Sequence, residues 1–92
     1  MKRESAETLA LEALTWLARD DELLPMFFNA TGTSADDVRE RAQDPVFLGS
    51  VLDFILMDDA WITAFCDAAG HPYERPMTAR GVLPGGDLPH WT

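Results

Sequence analysis

Apolar residues recur along this chain at helical spacing, and acidic pairs and glycines break the pattern at intervals. Leu9, Ala13, Leu14, Trp16 and Leu17 form a first stripe, with Glu12, Thr15 and Arg19 lying off it. The spacing predicts a helix from about Ser5, whose hydroxyl is placed to cap it, to Ala18. Asp20-Asp21 interrupts the period and offers a fresh N-cap. A second helix follows, about Glu22 to Ala30, with Pro25 in its first turn, where a missing N–H costs little. Leu24, Phe27 and Phe28 supply its buried face, and Gly32 is placed to end it in a left-handed conformation. Ser34 starts a third, mostly polar helix, about Ala35 to Ala42, on which Asp37 and Arg41 are spaced to pair.

The densest apolar run lies between Asp44 and Asp58. Aspartate as cap and Pro45 at the first helical position predict a helix over about 45–57. Val46, Phe47, Leu48, Val51, Leu52, Phe54, Ile55, Leu56 and Met57 cannot share one stripe, so this helix is expected at the centre with the others around it. It is too short to span a bilayer, which takes about 20 apolar residues. Asp58-Asp59 opens a fifth helix to Ala69, with Trp61, Ile62, Phe65, Cys66 and Ala69 inward and Gly70 as its stop. Residues 71–80 have room for one or two helical turns around Pro76. The sequence then becomes rich in Pro and Gly. The expected organisation is one helical domain over residues 1–82 and a tail over 83–92. The fold class is all-α, a compact bundle of five to six helices.

Shifted by 38 positions (Leu14 onto Leu52), the chain resembles itself. Trp16 falls on Phe54, Leu17 on Ile55, Asp20-Asp21 on Asp58-Asp59, Leu24 on Ile62, Phe27 on Phe65, Ala30 on Ala68 and Gly32 on Gly70. Caps and core positions coincide, so each half reads as long helix, acidic break, second helix, glycine stop and short third helix. Solenoids usually need three or more units. Two units are expected to pack face to face as pseudo-symmetric halves.

Charge narrows the partners. Seven Lys and Arg stand against sixteen Asp and Glu among 92 residues, a net charge of −9. That sign disfavours phosphate backbones and anionic membrane surfaces, and leaves a basic protein or a cation. Helix–turn–helix spacing can be drawn through residues 22–42, but that region is acidic and has no basic recognition face. The expectation is therefore no nucleic acid, no membrane, and a monomer or homodimer with an unknown protein partner. The lone Cys66 allows no internal disulfide. Lys2 and Arg3 begin like a signal peptide, but Glu4, Glu7 and Glu12 interrupt any apolar core. The chain is read as cytoplasmic.

Candidate chemistry is sparse. Asp20-Asp21 and Asp58-Asp59 have the donors for a hard cation, but stand at helix junctions, where aspartate caps. His71 and His90 with Cys66 have no metal-like spacing, and no nucleophile motif accompanies them. No cofactor is expected. Cys66, on the apolar face of its helix with no basic residue within a turn, reads as inert packing. Trp16 and Trp61 read as core. Trp91 stands apart, beyond two prolines and two glycines. Either the tail folds back and the indole plugs a groove between helices, or Leu88-Pro89-His90-Trp91 is a short motif with His90 and Trp91 reaching a partner.

Three stretches together resemble a known family: Ala13-Leu14-Thr15-Trp16-Leu17-Ala18 with Asp20, then Asp44-Pro45-Val46-Phe47-Leu48 running into Val51–Leu56, and Leu83-Pro84-Gly85-Gly86 to His90-Trp91-Thr92. The family is the small bacterial domain of unknown function 3572. The resemblance covers almost the whole chain and implies a small bacterial protein, with no site residues to carry over. The reading that results is a non-catalytic protein-interaction or adaptor module, leaning away from an enzyme. The alternative is a small cation-binding protein or enzyme using the two Asp-Asp junctions.

Overall fold

The computed structural model of the chain describes residues 1–84. Among them are six helices and no strand: α1 (Arg3–Ala18), α2 (Leu23–Thr31), α3 (Ala35–Arg41), α4 (Pro45–Ile55), α5 (Asp59–Ala69) and α6 (Arg75–Val82). The chain forms the all-α bundle that its periodicity predicts. Pro76 sits in the first turn of α6, where no intrahelical N–H is needed, so this stretch carries a helix of eight residues.

Side-chain oxygens start most of these helices. Asp20 Oδ1 accepts from the N–H groups of Glu22 and Leu23, at 2.9 and 3.0 Å. Asp44 Oδ1 accepts from Val46 N–H at 2.9 Å, and Asp58 Oδ1 from Ala60 N–H at 2.8 Å. Ser34 and Asp37 form a reciprocal capping box at α3. Two local expectations fail. Ser5 caps nothing, because α1 begins at Arg3, and an Arg3–Glu7 pair one turn apart supports that first turn. Asp37 does not pair with Arg41. Its carboxylate turns back to the Ser34 N–H at 2.9 Å, and the ion pair on α3 is Arg39 with Asp36.

The core is organised around two helices rather than one. α1 and α4 pack against each other, α2 and α6 lean on both, and α5 leans on α1. α1 buries Ala6, Leu9, Ala10, Ala13, Leu14 and Leu17, while α4 buries seven of its eleven residues. The expected all-round burial of α4 is corrected at its two ends. Val46 is 64 % exposed, and Met57, in the turn beyond Ile55, is 71 % exposed. Trp16 and Trp61 are half-buried rims of the core, not its centre. Leu24, Phe28 and Ile62 are half-buried as well, and Ala69 is exposed. An aromatic cluster links α2, α4 and α5. Phe27 meets Phe54 and Phe47 edge-on at 5.5 and 6.0 Å, and Phe54 stacks on Trp61 at 4.8 Å.

Several helix ends at positions 38 apart close with the same backbone bonds. α1 closes with Arg19 N–H to Trp16 O and Asp20 N–H to Leu17 O. α4 closes with Met57 N–H to Phe54 O and Asp58 N–H to Ile55 O. Leu24 N–H bonds Asp20 O as Ile62 N–H bonds Asp58 O. Gly32 N–H bonds Phe28 O as Gly70 N–H bonds Cys66 O. Both glycines are left-handed, at φ 71° and 77°, the conformation a side chain would disfavour. The third helices break the symmetry. α6 buries Pro76 and Ala79, while α3 buries no residue.

Candidate functional site

Two grooves of the bundle share several lining positions when the chain is shifted by 38. One lies between α4 and the end of α2, with a volume of about 420 Å³. Phe47 and Phe54 line it, its far wall is Ala30, Thr31 and Thr33, and Val46, Ser50, Asp53 and Met57 run along the α4 side. The other lies between α1 and α5, with a volume of about 300 Å³. Its Glu12, Thr15, Trp16, Arg19, Ala68 and Ala69 are the 38-shifted counterparts of Ser50, Asp53, Phe54, Met57, Ala30 and Thr31.

The two grooves differ at their rims. Where the α4 groove exposes Val46 and Met57, the matching sequence positions on the α1 side are Thr8, which does not line the α1 groove, and Arg19, which does. The α1 side is also bridged. His71 Nε2 lies 2.6 Å from Glu12 Oε1, tying the loop after α5 to α1. At the matching positions α4 and the loop after α2 carry Ser50 and Thr33, and neither reaches across. Ser50 Oγ donates to Phe47 O at 2.6 Å, and Thr31 Oγ1 donates to Phe27 O at 2.8 Å and meets Thr33 Oγ1 at 2.7 Å. These hydroxyls are engaged by their own helix and loop. The α4 groove therefore presents apolar surface with Asp44, Asp53 and Arg41 at its edges.

One edge is held by a polar clamp. Arg80 of α6 donates from Nε and Nη2 to the two oxygens of Asp53, at 2.5 and 3.0 Å. Its Nη1 also donates to the carbonyl of Pro84 at 3.1 Å. Gly49 lies beneath: a Cβ there would come within 2.9 Å of Arg80 Nη1 and 3.4 Å of Pro84 O. The guanidinium fork thus fixes where the chain leaves α6, directly over α4. Leu83 is buried in the same region, one residue past the expected domain boundary.

The residues singled out from sequence are dispersed. Asp20 and Asp58 serve as caps, and among the described residues no three Asp, Glu, His or Cys side chains gather at one point. His71 Nε2 lies against Glu12 Oε1, whereas Cys66 Sγ meets the Pro72 carbonyl. Cys66 is buried, donates weakly to Pro72 O at 3.5 Å, and has its thiol pushed up by burial and by the nearby Asp67 and Glu74 charges. His90 and Trp91 lie outside the described residues. Val46 and Met57 are the rim residues that periodicity alone assigns to the core. The repeat held the missing signal, since both align with polar residues of the first half, Thr8 and Arg19. No helix among the described residues is long and apolar enough to cross a membrane.

No curated protein and no solved structure matches this chain. A family model described as Protein of unknown function (DUF3572) matches residues 3–86, nearly the whole length, and the chain belongs to that family.

Proposed function

We propose that the chain is a non-catalytic protein-interaction module, and that it docks its partner in the α4 groove. One observation carries this reading. Of two grooves lined largely by residues 38 apart in sequence, the α4 one carries the large exposed apolar residues Val46 and Met57. Burial of Val46 and Met57 is not something the fold requires, because Thr8 and Arg19 serve at the equivalent places. Exposed apolar side chains beside a ready concavity are the usual mark of a docking surface.

The occupant we assign is an amphipathic helix of a partner protein, with basic residues flanking its apolar face. Val46 and Met57 are about 16 Å apart along the axis at 1.5 Å per residue, the length of three turns. Asp58 and Asp59 directly follow Met57 in the chain, which carries a net −9. Basic flanks would therefore speed association and fix the direction of the helix.

The test is capture from a cell extract, followed by affinity measurement on the identified partner. Met57→Asp and Val46→Asp change exposed residues and should leave stability within about 0.5 kcal/mol. Each should weaken binding at least about tenfold, as loss of an apolar anchor does. The affinity should also fall as salt is raised. Unchanged affinity for both variants would remove the groove from function.

A further inference from the structure

We infer that Met57 is an oxidation site, at which peroxide converts the thioether to the sulfoxide and switches off docking in the α4 groove. This names a regulation of the docking role proposed above and rests on that role. The chain has four methionines, Met1, Met26, Met57 and Met77, and every one is exposed. The core is built without them, from Ala, Val, Leu, Ile and Phe with Cys66. Oxidising the thioethers therefore takes no packing from the core. Met57 and Met77 are the most open, at 71 % and 67 %, against 47 % for Met26 and 43 % for Met1. Of the four, Met57 alone lines either groove. The thiol that would compete for peroxide is withdrawn. Cys66 is buried, and burial with the Asp67 and Glu74 charges pushes it up, so little reactive thiolate forms.

The step is a two-electron transfer. The Met57 sulfur attacks one oxygen of hydrogen peroxide, the O–O bond breaks, an S=O bond forms and water leaves. A methionine sulfoxide reductase reverses it: two thiols become a disulfide, the sulfoxide oxygen leaves as water and the thioether returns. The groove offers the sulfoxide oxygen no free hydroxyl. Thr31 and Ser50 already donate to the carbonyls of Phe27 and Phe47. With the Thr31 hydrogen on Phe27, the hydrogen between Thr31 and Thr33 is the one Thr33 supplies. Arg41, the cation among the lining residues, has its carbonyl on the Asp44 N–H at 2.8 Å, at the opposite end of α4. An apolar helix docked on the oxidised groove would thus bury a polar oxygen without a donor, which opposes docking.

The experiment treats the full chain with hydrogen peroxide and follows each methionine by peptide mass mapping. The urea midpoint and the affinity for the partner captured as above are read before and after. Met57 and Met77 should convert first, and the midpoint should hold because the altered residues are exposed. Partner affinity should fall at least about tenfold and return after treatment with methionine sulfoxide reductase and a dithiol. Met57→Leu carries no sulfur at this position, so its affinity should be the same treated and untreated. Met77→Leu should still lose binding on treatment. An oxidised chain that binds as well as the untreated one overturns the inference, as does loss of binding in treated Met57→Leu. Conversion of Met57 more slowly than Met26, or unfolding on treatment, overturns it too. An untreated chain that binds no partner is a different failure, which removes the docking role and the switch with it.

Discussion

At the scale of single residues, Phe54 joins three helices of the core, α2, α4 and α5. Its ring takes the edge of Phe27, stacks on Trp61, and also faces the α4 groove. It is 3 % exposed. Phe54→Ala removes a large ring from between Phe27 and Trp61, which cannot both move into the space, and should cost about 3–5 kcal/mol. Urea unfolding measures this directly, and a loss below about 1 kcal/mol would contradict the packing described. Met57, three residues on, has no such role. Two apolar residues of one run thus differ entirely, and the run itself does not distinguish them. What separates them is that α4 stops at Ile55, which leaves Met57 in a turn outside the packed face.

At the scale of elements, the junction signals were readable in the sequence and the burial of individual faces was only partly so. Aspartate, serine and glycine act on their own few neighbours, so Asp20, Ser34, Asp44, Asp58, Gly32 and Gly70 could be assigned without knowing the fold. Ser5 misled because a helix start also depends on what supports the preceding turn, here the Arg3–Glu7 pair. Trp16, Trp61 and Ala69 misled because half-burial depends on which helices lie alongside, and α5 leans mainly on α1. The groove is a product of two helices from different parts of the chain. Neither α2 nor α4 alone carries a sign of it. The junctions allow a paired test. Asp58 accepts the Ala60 N–H, whereas its neighbour Asp59 lies within the first turn of α5. Asp58→Ala should cost about 1 kcal/mol, the usual value of an N-cap. Asp59→Ala should cost no more than about 0.5 kcal/mol, the dipole contribution of an exposed acid. Equal losses in thermal or urea unfolding would show that the two acids do not divide the work in this way.

For the molecule as a whole, two groups near the α5–α6 connection add to its response to alkali. Burial raises the Cys66 thiol above its ordinary range, with help from the Asp67 and Glu74 charges. Tyr73 is raised because its hydroxyl donates to Asp67 Oδ1 at 2.7 Å and faces that charge. In the unfolded chain these groups ionise at about pH 8.5 and 10. Between those values and the higher folded ones, the unfolded chain holds fewer protons than the folded one, so stability falls as pH rises. Below about pH 8.5 both contributions are complete. The urea midpoint should therefore begin to fall near that pH and fall further near pH 10. Tyr73→Phe should flatten the upper step, and Cys66→Ala the lower one. A chain at net −9 also gains general self-repulsion as it loses protons. Added salt separates burial from charge: it screens repulsion between exposed charges, and the Asp67 charge felt by exposed Tyr73 with it, but not the burial of the Cys66 thiol. A decline that survives high salt and responds to Cys66→Ala locates alkaline sensitivity at the buried thiol. A decline abolished by salt alone would assign it to the surface charge.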